Sequence, residues 1–199
     1  MDSLEGALGY SFTRKELLAE ALTHASLGYE QQKTGADNQR LEYLGDAVLE
    51  LIFSQYLYEN FPSGAEGLLT KLRARMVSRP SLAKYARSIQ LGEFLKMGRG
   101  EEASGGRERD STLADAMEAL TAAVYLDGGL AAARRMVLRV CAGPLAELQE
   151  TPSEINPKGQ LQEILQSLAM AASATRWSVN RGRIIGKTSW WRRCGRGKC

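Results

Sequence analysis

Residues 111–126 hold only two charged side chains, Asp115 and Glu118, in a run whose other members are mostly apolar or small, from Leu113 through Ala119 to Val124. Such a run predicts a helix buried most of the way round. No other segment constrains the fold as strongly. Further helices must enclose it, and both acids must find a partner, because an uncompensated carboxylate taken out of water costs several kcal/mol.

The rest of the chain supplies those helices. Apolar positions recur at three- and four-residue spacing and strand-like alternation is scarce, so the fold is expected to be all-α. Leu17, Leu18, Ala21 and Leu22 mark a first helix, with Thr13 as its N-cap and Glu16 three positions on. Residues 28–37 read as a loop. Leu41, Leu44, Val48, Leu51, Ile52, Gln55 and Tyr56 mark a long second helix that stops at the turn cluster Asn60-Phe61-Pro62-Ser63-Gly64. Shorter helices follow over 65–77 and 81–89, the latter behind Pro80. The charged stretch 97–110, with glycines at 98, 100, 105 and 106, reads as an exposed connection. Asp127-Gly128-Gly129 is expected to stop the helix of residues 111–126, and a sixth helix to run over 130–148. This organisation places one domain at 1–150, a linker at 151–157, and a second, smaller element at 158–199.

Charge is distributed unevenly between these parts. The net formal charge of +3 conceals a body, residues 1–168, with 18 basic and 23 acidic side chains, and an end, residues 169–199, with eight basic and no acidic ones. An acidic body suits the holding of cations and a basic end suits a polyanion. Cys141, Cys194 and Cys199 lack metal-type pairing and do not suggest a disulfide scaffold. No apolar run approaches the roughly 20 residues of a membrane span, and Met1-Asp2-Ser3-Leu4-Glu5 lacks a targeting pattern. A cytoplasmic protein with no membrane partner and no small-molecule cofactor is the expectation.

The second helix carries its own acids. Glu42 and Asp46 are four apart and share a face, with Glu50 continuing the line. Gly45 between them costs about 1 kcal/mol relative to Ala in a helix interior, which suggests that something approaches the backbone there. A carboxylate cluster drawn from two helices would repel itself without a cation. With one histidine in the chain, His24, a hard oxygen-liking ion such as Mg²⁺ fits better than zinc or a di-iron centre. Carboxylate-held Mg²⁺ suits phosphodiester hydrolysis, where an ion generates the water nucleophile and stabilises the leaving oxygen. His24 itself reads more readily as a hydrogen-bonding residue than as a base.

The stretch Asn38-Gln39-Arg40-Leu41-Glu42-Tyr43-Leu44-Gly45-Asp46-Ala47-Val48-Leu49 resembles the signature of the ribonuclease III endonucleases. Thr23-His24-Ala25-Ser26, Ser104-Gly105-Gly106-Arg107, Leu113-Ala114-Asp115-Ala116-Met117-Glu118-Ala119-Leu120 and Tyr125-Leu126-Asp127-Gly128-Gly129 support the likeness, in the family's order. The resemblance covers residues 1 to about 168. It implies a helical nuclease domain that dimerises about a two-fold axis and cuts double-stranded RNA. The cuts would leave short 3′ overhangs, in processing such as ribosomal RNA precursor maturation. It implies that Glu42, Asp115 and Glu118 ligate Mg²⁺, with Mn²⁺ able to substitute, and that Asp46 and Glu118 are catalytic. Tyr43 matches an aromatic position that plugs into the partner subunit. Glu66 matches an accessory acid near the cleavage valley. Gln39 stands where the family usually has an acid, which implies weakened rather than absent activity. Side chains of the basic residues near 96–109 are expected to help hold the RNA backbone.

Asn156-Pro157-Lys158-Gly159-Gln160-Leu161-Gln162-Glu163-Ile164 resembles the start of a double-stranded-RNA-binding domain, and the likeness stops after Leu168. Residues 158–199 therefore read as an incomplete or degenerate remnant of that domain. Its end, with Trp177, Trp190 and Trp191 among arginines, admits three readings: a basic RNA-binding tail, a divergent small fold, or out-of-frame translation. The abrupt loss of pattern favours the last. Two competing functions remain at this level: a non-cleaving duplex-RNA binder, which would not need all four acids, and a structural helical partner, which would leave the acids of residues 111–126 without a purpose.

Overall fold

The computed structural model describes residues 2–31 and 37–150, and these contain helices and no strands; a lone bridge pairs Thr23 with Lys96. In chain order the helices are α1 (Asp2–Leu8), α2 (Lys15–Ala21), α3 (Ala25–Gln31), α4 (Gln39–Asn60), α5 (Glu66–Met76), α6 (Arg79–Ser88), α7 (Leu91–Phe94), α8 (Arg99–Ala103), α9 (Asp110–Val140) and α10 (Ala142–Glu150), with a 3₁₀ turn at Gly106–Glu108. The expected all-α architecture is the one observed. The compact unit ends at Glu150. The linker expected at 151–157, the remnant expected at 158–199, Cys194 and Cys199 lie outside the described residues.

α9 is the central element and packs chiefly against α4 and α6, and also against α2. Ala116, Ala119, Ala122 and Ala123 are fully buried, and their small side chains let neighbouring helices come close. Leu49, Ile52, Phe53 and Leu57 of α4 fill the space on one side; Leu82, Ala83 and Ala86 of α6 fill it on another. Cys141 is part of this core, where burial pushes its thiol up to about 12, so it packs as a small apolar side chain and carries no reactive thiolate.

Several sequence expectations shift in the structure. α9 bends at Gly129, whose φ of 77° and ψ of 177° only glycine adopts without strain, so the expected break at 127–129 is present as a kink. The helix expected over 130–148 is interrupted at Cys141, because Pro144 has no N–H for the Val140 carbonyl and sits instead in the first turn of α10. Residues 28–31, expected in a loop, belong to α3. That helix runs through Gly28 because α8 anchors it: the Gly98 N–H donates to Ser26 Oγ at 2.9 Å and the Gly100 N–H to Glu30 Oε1 at 2.9 Å. The connection 97–110 is not simply exposed, since Met97, Gly98 and Gly106 are buried.

Thr13 does not cap α2. No side chain caps this helix at its N-cap, Arg14; the segment leading into it is held instead by Asp127, more than a hundred residues away, whose carboxylate accepts from the Thr13 N–H at 2.8 Å, the Arg14 N–H at 3.0 Å and the Tyr10 hydroxyl at 2.8 Å. The Arg14 guanidinium adds a bond to the same carboxylate at 3.3 Å. Burial works to raise the pKa of Asp127, and these donors overcome it and hold the carboxyl below its ordinary range. The resulting stabilisation is present above the ordinary aspartate pKa of about 3.9 and is lost as pH falls below it. Asp127→Asn keeps the shape but turns one acceptor into a donor facing N–H groups. It is expected to lower stability by roughly 2–4 kcal/mol in chemical denaturation at neutral pH. A loss under about 0.5 kcal/mol would show that the carboxylate does not clamp the two segments.

Candidate metal centre

Gly45 is where α4 meets α9. A Cβ at this position would lie 1.8 Å from the Glu118 carbonyl oxygen and 3.0 Å from its Cα, so the two helix backbones touch here and only glycine fits. The close approach anticipated from a glycine inside an acidic helix is therefore supplied by the second acidic helix. This contact sets the register of the site. Glu42 lies one turn before Gly45 on α4, while Asp115 and Glu118 lie one turn apart on α9. Their carboxylates converge: Glu42, Asp115 and Glu118 each offer an oxygen within 4.8 Å of the others, and all three side chains are half-buried.

The electrostatics follow from that geometry. Burial, then the charges of Asp46, Asp115 and Glu42, push Glu118 up to about 7. Burial and the neighbouring Asp115 raise Glu42, and burial raises Asp115. A group of three oxygen donors that resists ionisation for want of a countercharge fits a hard divalent cation, and no histidine or cysteine belongs to it to favour a softer metal. Cation binding must displace the proton held by Glu118. Affinity for Mn²⁺ is therefore expected to rise roughly tenfold per pH unit below pH 7 and to level off above it. Calorimetric titration from about pH 5.5 to 8.5 checks this, and an affinity flat across that range would contradict it.

Of the other residues singled out in the sequence, Asp46 is exposed on α4 and lies outside the three-carboxylate group, although its charge acts on Glu118. Gln39 is exposed at the start of α4, its N–H donating to Asp37 Oδ1 at 3.1 Å. Glu66 opens α5 and lines a hollow of about 540 Å³ with Leu51, Tyr58 and Leu69, apart from the carboxylate group. Tyr43 is 84% exposed. His24 lies near enough to Asp115 to oppose the rise in its pKa, while its Nδ1 is 2.8 Å from Ser26 Oγ and accepts from the Ser26 N–H at 3.3 Å. Arg107 and Arg109, expected to grip RNA from the 96–109 segment, are engaged within the fold. Arg107 bonds Glu102 and the carbonyls of Gly92 and Leu95, and Arg109 bonds Glu101 and Ser104, since the short turns there need their carbonyls and acids satisfied. No sequence pattern marks Arg79 at the start of α6, whose charge opposes the raised pKa values of all three clustered acids. Its signal is tertiary, because nothing in the spacing of residues 75–81 refers to α4 or α9.

Known proteins share this arrangement of sequence and fold. Residues 14–145 match the family model for ribonuclease-III-like domains. The chain is 53% identical over 165 residues to Ribonuclease 3 of Caldanaerobacter subterraneus subsp. tengcongensis, covering 83% of this chain and 72% of that protein. The chain belongs to the ribonuclease III family. Ribonuclease 3 of Desulforamulus reducens is 52% identical over 82% of this chain and 67% of its own length. The nuclease domain of ribonuclease III from Campylobacter jejuni superposes with a TM-score of 0.67 at 45% identity, over 71% of this chain and 95% of that domain. Dicer from Pichia stipitis shares the fold at 22% identity and a TM-score of 0.52, over 72% of this chain and 62% of that one. This ribonuclease III family member is an endoribonuclease of the ribonuclease III type.

Proposed function

We propose that the chain is a Mg²⁺-dependent endonuclease of double-stranded RNA that works in the cytoplasm as a homodimer. It would leave short 3′ overhangs in RNA processing such as ribosomal RNA precursor maturation. The observation that carries this reading is the convergence of Glu42, Asp115 and Glu118 at the Gly45 crossing. Those three side chains hold the ion, which supplies the Lewis acidity that phosphodiester hydrolysis needs. Asp46, exposed one turn from Glu42 and acting on Glu118, orients the attacking water by accepting its hydrogen bond. Gln39 and Glu66 serve as accessory contacts to the RNA; an amide at 39 still bonds a ribose hydroxyl, so activity is reduced rather than lost.

The dimer reading is supported by one face of α4. Tyr43, Leu51 and Tyr58 are spaced eight and seven residues apart, share that face, and are 84%, 52% and 76% exposed. Solvent-facing apolar side chains in a row are characteristic of an interaction surface. The hollow beside Leu51 and Tyr58 is large enough to take the Tyr43 ring of a second copy.

Incubation with a long RNA duplex and Mg²⁺ tests the function. Expected are endonucleolytic cuts in the duplex and none in a single strand, loss of cutting in excess EDTA, recovery with Mn²⁺, and sedimentation at the mass of two chains. Cleavage that persists in EDTA would sink the metal reading. Duplex bound but left uncut would favour the non-cleaving binder, and sedimentation as one chain would remove the dimer.

A further inference from the structure

Three clustered carboxylates need countercharge, and Arg79 opens a helix fastened beside two of them: at its far end Arg87 pairs with Asp110, the first residue of α9, at 2.6 Å, and Arg79 stands two turns back on the stripe of α6 that buries Leu82, Ala83 and Ala86. Among the described residues its charge also opposes the raised pKa of all three acids. Its place is fixed by the corner between α5 and α6. The Ser78 and Ser81 hydroxyls donate to the Arg75 carbonyl at 2.8 and 2.7 Å and lie 3.0 Å from each other. Pro80, in the first turn of α6, stiffens the backbone beside it. α6 in turn packs along α9, the helix that carries Asp115 and Glu118. The Arg79 side chain nevertheless remains exposed, and among the described residues no ion pair joins it to Glu42, Asp115 or Glu118. A guanidinium closed onto a carboxylate is neutralised. One held beside a carboxylate group and still hydrated is free to take a further anion.

We propose that Arg79 is a phosphate-positioning residue that holds the scissile phosphodiester of the RNA against the Glu42, Asp115 and Glu118 site. This rests on the nuclease reading above. Charge favours it: Glu42, Asp115 and Glu118 together with Asp46, whose charge acts most strongly on Glu118, leave a net −2 beside one divalent ion, which repels phosphate, and Arg79 offsets half of that charge. The basic side chains of Arg107 and Arg109 do not supply this role, because both are fastened within their own segment. A fork of N–H donors matches the phosphate oxygens, whereas lysine would offer a point charge.

The test compares the wild-type chain with Arg79→Ala and Arg79→Lys in two measurements. In calorimetric titration without RNA, Arg79→Ala is expected to bind Mn²⁺ a few-fold more tightly, because a cation that repels the metal has gone. In duplex cleavage the same variant is expected to lose roughly 10- to 100-fold in kcat with KM changed by less than about threefold, since one of many phosphate contacts sets little of the affinity. Arg79→Lys should recover part of the kcat. Tighter metal binding together with slower cleavage is an opposition that a merely structural role would not produce. An Arg79→Ala variant that cuts at the wild-type rate overturns the proposal and leaves the nuclease reading intact. Loss of cleavage together with weaker Mn²⁺ binding also overturns it, since the side chain would then be supporting the cluster itself. A wild-type chain that leaves duplex RNA uncut overturns the nuclease reading and this proposal with it.

Discussion

Glu118→Gln is expected to lower duplex cleavage by about 10³-fold or more, which is roughly 4 kcal/mol of transition-state stabilisation. The amide keeps the size of the side chain but removes one of the three charges that converge within 4.8 Å. It also removes the group that burial and three neighbouring acids push up to about 7. The same substitution should act oppositely on the metal-free fold. Folded Glu118 holds a proton that the unfolded chain releases near the ordinary glutamate pKa of about 4.3, so stability declines as pH rises from there towards 7. Gln abolishes that decline. Allowing for solvent screening of a half-buried side chain, the gain at pH 8 is about 1–2 kcal/mol, or roughly 2–6 °C in Tm, and nothing is gained well below pH 5. Cleavage assays and thermal melts in EDTA at the two pH values check both halves. A variant that cuts at the wild-type rate would remove Glu118 from the site, and one destabilised at pH 8 would contradict the electrostatic account.

Gly45→Ala is the second large effect, and here the backbone decides. By intrinsic propensity alone, alanine inside a helix gains about 1 kcal/mol over glycine. At Gly45 the added methyl would sit 1.8 Å from a backbone carbonyl oxygen, which cannot rotate away, so α4 and α9 must separate. The expected net loss is roughly 3 kcal/mol or more of stability. Separation also draws Glu42 away from Asp115 and Glu118, and a misplacement of about 1 Å costs on the order of 10²-fold in rate. Gly67→Ala in α5 is the control, because a Cβ there meets nothing within 4 Å. It should leave cleavage unchanged and stability equal or higher. Equal effects of the two substitutions in denaturation and cleavage would show that the crossing does not set the site.

Much of the fold was readable because helical burial leaves a periodic trace. The α4 positions Leu41, Val48, Ile52 and Tyr56 are buried as their spacing requires, and the turn cluster at Asn60-Phe61-Pro62 ends the helix where it was expected. The candidate acids were readable for a different reason. Asp115 and Glu118 stand in an apolar run, and a charge that solvation does not explain needs another explanation. The errors cluster where a distant partner overrides local preference. α3 runs through Gly28 because α8 holds Ser26 and Glu30 in place, and the entry into α2 is held by Asp127 at the Thr13 and Arg14 N–H groups, with no cap from Thr13. Helix propensity and local capping motifs are summed over near neighbours, so neither registers a bond from a hundred residues away.

The sequence by itself determined the class of the molecule, an all-α body around one apolar helix. It also determined the identity of the acids, because residue type and periodicity are local properties. Tertiary structure alone decided which of those acids meet. Glu42, Asp115 and Glu118 form one group while Asp46 stays exposed beside it, since a backbone contact at Gly45 sets the rotation and register of α4 against α9. Tertiary structure also decided which cation faces them. Arg107 and Arg109 are drawn into their own turns, and Arg79 reaches the acids from α6 because that helix packs along α9. Electrostatic coupling depends on distance through space, and the spacing of residues along the chain does not carry it.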